Sequence, residues 1–115
     1  MASSPLTNYL RKHRKRLGLS QDEVAFLLGT QSGTRVCRNE RFVREPSLET
    51  ALAYEVIFQQ PIRELFRGLY RKIEKEVAAR AGALAYRTRR QKPNRQTRRK
   101  HQVLDRIINK PDDET

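Results

Sequence analysis

The stretch GLSQDEVAFLLG, residues 18–29, carries the signals of a short helix at both ends. Ser20 and Glu23 match the S-x-x-E capping box, in which two side chains satisfy free backbone N–H groups at a helix start. Gly29 is a stop signal, because glycine adopts the left-handed backbone conformation that ends many helices. The stretch therefore predicts a helix that opens after Ser20 and ends at Gly29.

Similar signals place helices on both sides of this stretch. A basic segment that ends at Gly18 predicts a first helix over roughly residues 6–17. The segment TRVCRNER predicts a third helix, Ser47 is the N-cap of a fourth, and Pro61 opens a long fifth helix. Strand signals are poor, since β-branched runs are absent and glycine is sparse. We therefore predict an all-α, compact five-helix domain.

Composition limits the function classes that this chain can serve. With 115 residues and a single cysteine, it has room for one small helical core and not for an enzyme fold with a deep pocket. No apolar run is long enough for a membrane span, and the first residues lack a secretory signal, so we expect an intracellular protein. Neither His13 nor His101 has companions at metal-ligand spacing, and we predict no metal, no cofactor and no catalysis.

The positive charge is concentrated in one part of the chain. The whole chain carries a formal charge of +12, which favours a polyanionic partner, most often nucleic acid. Residues 86–101 hold eight basic and no acidic residues, whereas residues 102–115 hold two basic and four acidic residues. The basic block lacks aliphatic side chains that could order it. We therefore predict that residues 86–115 are a flexible basic arm and a short C-terminal segment.

The span from Gly18 to Pro46 resembles the helix-turn-helix domain of phage repressors and Cro proteins, the XRE-type family. The resemblance rests on a basic first helix, the stretch G-L-S-Q-x-E-V-A-x-x-L-G, a short turn, a second helix that ends in a glutamate, and P-S-L-E. It covers roughly residues 6–68. It implies a repressor-like helix-turn-helix domain, with residues 69–85 as a helical extension.

The resemblance also assigns roles to individual residues. The helix at about residues 32–41 would lie in the major groove of DNA. Aligned on Glu40, the base-reading positions fall on Gly33, Thr34, Cys37 and Arg38. Gly33 has no side chain, so it can only allow the backbone to approach a base closely. Of the other three residues, only Arg38 can form two parallel hydrogen bonds to guanine. The implied base contacts are Thr34, Cys37 and Arg38, and the implied phosphate contacts are Gln21, Ser32, Arg35, Arg41 and Arg44.

One implied role is structural, and the chain departs from the family pattern in two ways. Arg14 and Glu40 match a family pair that orients the recognition helix. Ser32-Gly33 looks like a one-residue insertion in the turn, which leaves Arg35 as an alternative base reader. Asn39 and Glu55 stand where family members more often have an apolar or small residue, and Glu55 could pair with a neighbouring arginine.

The long fifth helix carries more apolar residues than the domain core needs. Ile73, Val77 and Leu84 continue its stripe beyond the core, which predicts the seam of a homodimer, with a helix that folds back or frays as the alternative. A glycine at position 68 makes a bend there possible.

The sequence thus favours a sequence-specific, double-stranded DNA-binding transcription regulator of the cytoplasm and nucleoid, with no membrane partner. Repression is favoured over activation by the resemblance alone. Two alternatives stay open: an antitoxin whose C-terminal segment wraps a toxin, and an RNA-binding or ribosome-associated basic protein.

Overall fold

The structure, a computed structural model, describes residues 8–110, which form α-helices and no strand. The all-α class is confirmed, but this range holds seven helices rather than five. The chain divides into two compact units, Met1–Arg71 and Lys72–Thr115. In chain order the helices are α1 (Leu10–Arg16), α2 (Gln21–Leu28), α3 (Thr34–Glu40), α4 (Leu48–Phe58), α5 (Ile62–Leu65), α6 (Arg67–Thr88) and α7 (Arg95–Ile108).

Most helix ends of the first unit lie where the capping residues predict them. The capping box of α2 is complete: the Ser20 hydroxyl accepts the Glu23 N–H at 3.0 Å, and the Glu23 carboxylate accepts the Ser20 N–H at 2.8 Å. Gly29 ends α2 with a φ of +83°, and the Ser47 hydroxyl caps α4. α1 begins later than predicted, at Leu10, while positions 6 and 7 lie outside the described residues.

One hydrophobic core holds the first unit together. It collects side chains from all of α1 to α5, together with Phe66, which follows α5. Its fully buried members include Leu10, Val24, Val36, Tyr54 and Leu65. Since burying one such side chain contributes about 1.5–3 kcal/mol, this core is the main source of stability for the unit. Its buried residues are Leu10, Val24, Ala25, Val36, Ala51, Tyr54, Phe58, Leu65 and Phe66.

The predicted long fifth helix is broken near its start, and the break is at Phe66 rather than at Gly68. The Leu65 carbonyl accepts the Tyr9 N–H at 2.8 Å instead of continuing the helical hydrogen bonds. Phe66 leaves the helical conformation, with φ −118° and ψ 48°, while its side chain enters the core. A contact made by the chain before α1 therefore divides this segment into α5 and α6.

The prediction of a flexible basic arm is wrong over Arg95–Ile108, which form α7. The Asn94 side chain caps the helix by accepting the Thr97 N–H at 2.9 Å. The predicted boundary at residue 101 cut an amphipathic helix in two, because its basic residues come first and its aliphatic residues follow. Leu104, beyond that boundary, is only 6% exposed and gives α7 an apolar side to bury.

The buried His13 predicts a dependence of stability on pH. His13 is 7% exposed and its ring lies 6.4 Å from that of Phe58. Burial lowers its pKa from the ordinary 6.5, Arg16 and Lys12 act in the same direction, and Glu64 opposes them. The unfolded chain therefore binds this proton first as the pH falls. Its stabilisation is fully present above pH 6.5 and is lost progressively below that value.

We expect urea unfolding to show lower stability at about pH 5.5 than at about pH 7.5, with a slope no steeper than about 1.4 kcal/mol per pH unit for one proton. His13→Gln should flatten this slope, because glutamine does not titrate. A slope that persists in His13→Gln would assign the dependence to another group.

Candidate nucleic-acid interface

Helix α3 has one buried side and one exposed side. Val36 and Asn39 point inward and are 0% and 1% exposed. Thr34 and Arg38, four residues apart, are exposed on the opposite side. The helix is two residues shorter at its start than the predicted 32–41, because Ser32 precedes it and only its hydroxyl approaches the Thr34 N–H, at 3.4 Å.

The carboxylate of Glu40 joins the end of α3 to two other helices. Arg14 of α1 donates to it from both Nε and Nη2, the latter at 3.2 Å, and Gln21 of α2 donates from Nε2 at 3.1 Å. The side chains of Arg14 and Glu40 are only 10% and 3% exposed. The third Arg14 contact is the Leu19 carbonyl at 3.0 Å. The two residues that the resemblance pairs are thus in contact, and the hydrogen bond to Glu40 raises the pKa of Arg14.

This contact changes the interpretation of Gln21. The resemblance implies that Gln21 contacts DNA phosphate, whereas here its side-chain amide donates to Glu40. Each amide nitrogen carries two hydrogens, so one N–H of Gln21 is available to a second acceptor. Gln21 is half-buried at the N-terminus of α2.

Asn39 is a buried hydrogen-bonding centre, which in the sequence is visible only as a departure from the family pattern. Its Oδ1 accepts the Tyr54 hydroxyl and its Nδ2 donates to the Arg44 carbonyl, both at 2.9 Å. Its own carbonyl accepts from Asn8 Nδ2, also at 2.9 Å. Burial, followed by the charge of Glu40, raises the pKa of Tyr54, so the phenol stays a donor. An apolar residue at position 39 would leave the Tyr54 hydroxyl and the Arg44 carbonyl without these partners.

The turn between α2 and α3 depends on Gly33 and Asp22. The Gly33 N–H donates to Asp22 Oδ1 at 2.9 Å. A Cβ at position 33 would lie 2.8 Å from that oxygen and 2.9 Å from the Gln21 Cβ. Gly33 therefore permits a close approach between the start of α3 and helix α2 of the same chain. No sequence signal marks Asp22 for this contact, since an aspartate in a first helical turn is common without it.

Most of the predicted contact residues surround one surface depression beside α3. Thr34, Cys37 and Arg38 line it, with Cys37 half-buried. Arg35 and Arg44 are exposed but do not line it. The full lining consists of Gln21, Asp22, Ser32, Gly33, Thr34, Cys37, Arg38 and Arg41.

The charge of this surface is positive and locally uncompensated. Arg35, Arg38, Arg41 and Arg44 are exposed, and none of them takes part in an ion pair within residues 8–110. Asp22 is the one carboxylate on the lining, and it faces the Gly33 N–H. Exposed guanidinium groups without carboxylate partners are suited to anionic ligands, because each offers five donors in a planar fork.

The described residues meet the requirements of neither of two other kinds of feature, a metal site and a membrane-spanning helix. Across residues 8–110 no three His, Cys, Asp or Glu side chains are grouped so as to hold a metal ion. In the same part of the chain no helix has the length and apolarity needed to cross a membrane. In the described part of the chain Glu55 forms no ion pair with an arginine. Its carboxylate accepts the Ile62 N–H at 3.0 Å, at the start of α5.

A double-mutant cycle measures the interaction between Arg14 and Glu40. We expect Arg14→Ala and Glu40→Ala each to lower stability, and the double variant to cost less than their sum by about 1.5–3 kcal/mol, as for hydrogen bonds to charged groups. The exposed pair Arg67–Glu64, with 3.9 Å between its atoms, is the control and should give about 0–1 kcal/mol. Equal coupling in both pairs, measured by urea unfolding, would contradict the central role of Glu40.

Gly33→Ala tests the close approach of α3 to α2. The new methyl group would displace Asp22 or the start of α3, and we expect a loss of about 1–3 kcal/mol, as for overpacked sites. Gly82→Ala is the matched control, because a Cβ there meets nothing within 4 Å, and alanine should add up to about 1 kcal/mol to helix stability. Thermal unfolding measures the stability of both variants. Equal changes in stability would show that position 33 is not constrained.

Comparisons of the chain with family models, with curated proteins and with solved structures found no match in any of the three. The residues themselves and their geometry carry the information on function. The surface that they define is a short helix held on its inner side by Glu40 and Asn39, with arginines exposed on its outer side.

Proposed function

We propose that the chain is a sequence-specific, double-stranded DNA-binding regulator of the XRE type, which reads the major groove with α3. The observation that carries the proposal is the division of α3 into two sides. Its inner side is fixed by Val36, Asn39 and Glu40. Its outer side presents Thr34 and Arg38, which are both exposed.

The dimensions and charge of α3 suit this role. Seven helical residues span about 10 Å, and a helix with side chains is about 10–12 Å wide, which the 12 Å major groove of B-DNA admits. Arg38 and Thr34 lie on the exposed side, away from the buried Val36 and Asn39, and of the two only Arg38 can form two parallel hydrogen bonds to one base. Arg35, one residue before Val36, lies at the flank of this side and outside the depression. This geometry favours Arg38 as the base reader and Arg35 as a phosphate contact.

Phosphate contacts would surround this reading position. Arg41 and Ser32 line the same depression as Arg38, and Arg44 follows in the turn after α3. Such contacts fix the orientation of a protein on DNA without selecting sequence. Gln21 can share in them only through its second amide hydrogen, since the first is donated to Glu40.

The proposal includes a homodimer that binds a two-fold symmetric operator and represses by occupying a promoter. Ile73, Val77 and Leu84 of α6 are 45%, 39% and 39% exposed. They lie on one side of the helix and offer an apolar seam to a second copy. A DNA-binding role would place the protein in the cytoplasm with the nucleoid.

Selection from a random duplex library tests the proposal directly. We expect a palindromic consensus with at least one guanine in each half-site, read by Arg38. Arg38→Ala should weaken binding to that consensus by about 1–3 kcal/mol and relax the preference at that base pair alone. Arg44→Ala, the matched control, should weaken binding to all sequences alike.

Three outcomes would contradict parts of the proposal. A preference that relaxes only in Arg35→Ala would move the reading position by three residues along α3. A consensus that neither variant alters would exclude α3 as the reader. Enrichment of structured RNA over duplex DNA, without sequence discrimination, would replace the proposal by an RNA-binding function.

A further inference from the structure

Helix α7 presents a row of arginines on the side opposite to its buried face. Thr97 and Leu104 define the buried face and are each 6% exposed. With about 100° between successive residues, Arg95, Arg99 and Arg106 fall within a narrow strip on the other side. All three are exposed. The complete strip, which we call the arginine face, consists of Arg95, Arg98, Arg99, Gln102 and Arg106.

Among the described residues, few carboxylates are close in sequence to the arginine face, and Asp105 is the one within α7 itself. The sequence between Glu76 and Asp105 contains no acidic residue. Within residues 8–110 the arginines of this face form no ion pair; the ion pairs inside the second unit are Lys72–Glu76 and Lys110–Glu74. Four further exposed cations precede the helix, at Arg87, Arg89, Arg90 and Lys92. The result is a surface of high positive potential.

Side-chain contacts join α7 to α6 and to the segment before it, so these cations are presented from a helix. Thr97 donates from its hydroxyl to the Lys92 carbonyl at 3.1 Å, in addition to the Asn94 cap. The hydroxyl of Thr88, which is 2% exposed, lies 2.8 Å from His101 Nε2 and so joins α6 to α7. Cations on a helix have fixed mutual distances, which a flexible tail lacks.

The arrangement favours the backbone of a duplex over other polyanions. Arg95 and Arg106 are eleven positions apart, or about 16 Å along a helix, and guanidinium groups bind phosphates in bidentate fashion. The face has no aromatic side chain on which single-stranded bases could stack. On the apolar side of α7, Leu104 is buried and so is not available for insertion into lipid, as it would be in a membrane-surface helix, whereas Val103 and Ile108 are 49% and 39% exposed. B-DNA admits a helix to its major groove, whereas the A-form major groove is too narrow.

We propose that α7 is a second duplex-DNA-binding surface, which contacts phosphates through Arg95, Arg99 and Arg106 and does not select sequence. It acts independently of α3 and does not require that α3 reads bases. Its effect is on overall affinity, through the release of counterions from the duplex.

The test compares two triple variants of the full chain that lose the same charge. One is Arg95→Gln with Arg99→Gln and Arg106→Gln. The matched control is Lys72→Gln with Lys75→Gln and Arg80→Gln, exposed cations of α6. Binding to a random-sequence duplex of about 20 base pairs is measured by fluorescence anisotropy over a salt series. Circular dichroism checks that both variants keep their helix content.

We expect the α7 variant to flatten the slope of log K against log salt by about 2–3, since each phosphate contact contributes about 0.9. The control should change it by less than about 1. A third variant with lysine at the same three α7 positions should keep most of the slope, because lysine retains the charge. Arg38→Ala should leave this non-specific slope nearly intact.

Two results would overturn the inference. Equal flattening in both glutamine variants, or none in either, would show that bulk charge and not the arginine face is responsible. A larger loss on an A-form RNA duplex than on DNA would assign the face to RNA. This test can be separated from the test of α3. If no consensus is selected but the slope flattens in the α7 variant alone, the proposed reading role of α3 is contradicted. The proposed role of α7 is then still supported.

Discussion

The buried carboxylate of Glu40 is the contact on which the geometry of the first unit depends. It accepts hydrogen bonds from Arg14 of α1 and Gln21 of α2 while it forms the last residue of α3. A charge taken out of water is costly unless it is paired and fully hydrogen-bonded. The three helices must therefore meet in one arrangement to satisfy it. Apolar packing alone tolerates more variation in helix orientation.

Asn39, the preceding residue, extends the same principle to other parts of the unit. Its side chain and carbonyl bind Tyr54, Arg44 and Asn8, which lie in α4, in the turn after α3 and ahead of α1. Two consecutive polar residues thus fix the inner side of α3 in both direction and rotation. Within residues 8–110 no buried side-chain nitrogen or oxygen lacks a hydrogen-bond partner, as such a network requires. The outer side of the helix is consequently left free for a ligand.

Local signals in the sequence were sufficient for some features and insufficient for others. The ends of α2 and the start of α4 could be predicted, because caps act within four residues of the chain. The break at Phe66 could not, since its cause is a hydrogen bond from Tyr9, far away in sequence. Helix α7 could not be predicted from the composition of residues 86–101, because they lack aliphatic side chains and Leu104 lies beyond them. The contact of Arg14 with Glu40 was anticipated from the resemblance, whereas those of Asp22 and Asn39 depend on tertiary proximity alone.

The hairpin of α6 and α7 has a small apolar interior for the charge that it carries. Ala81 and Leu104 are its buried apolar residues among those described, and its arginines repel one another across the surface. Such a unit belongs to the low-stability end of a protein, where amide hydrogens exchange through local opening. Dissolved salt screens the repulsion between exposed charges and should slow this exchange. The same salt weakens attachment to a polyanion, so ionic strength would act on the folding of α7 and on its binding in opposite directions.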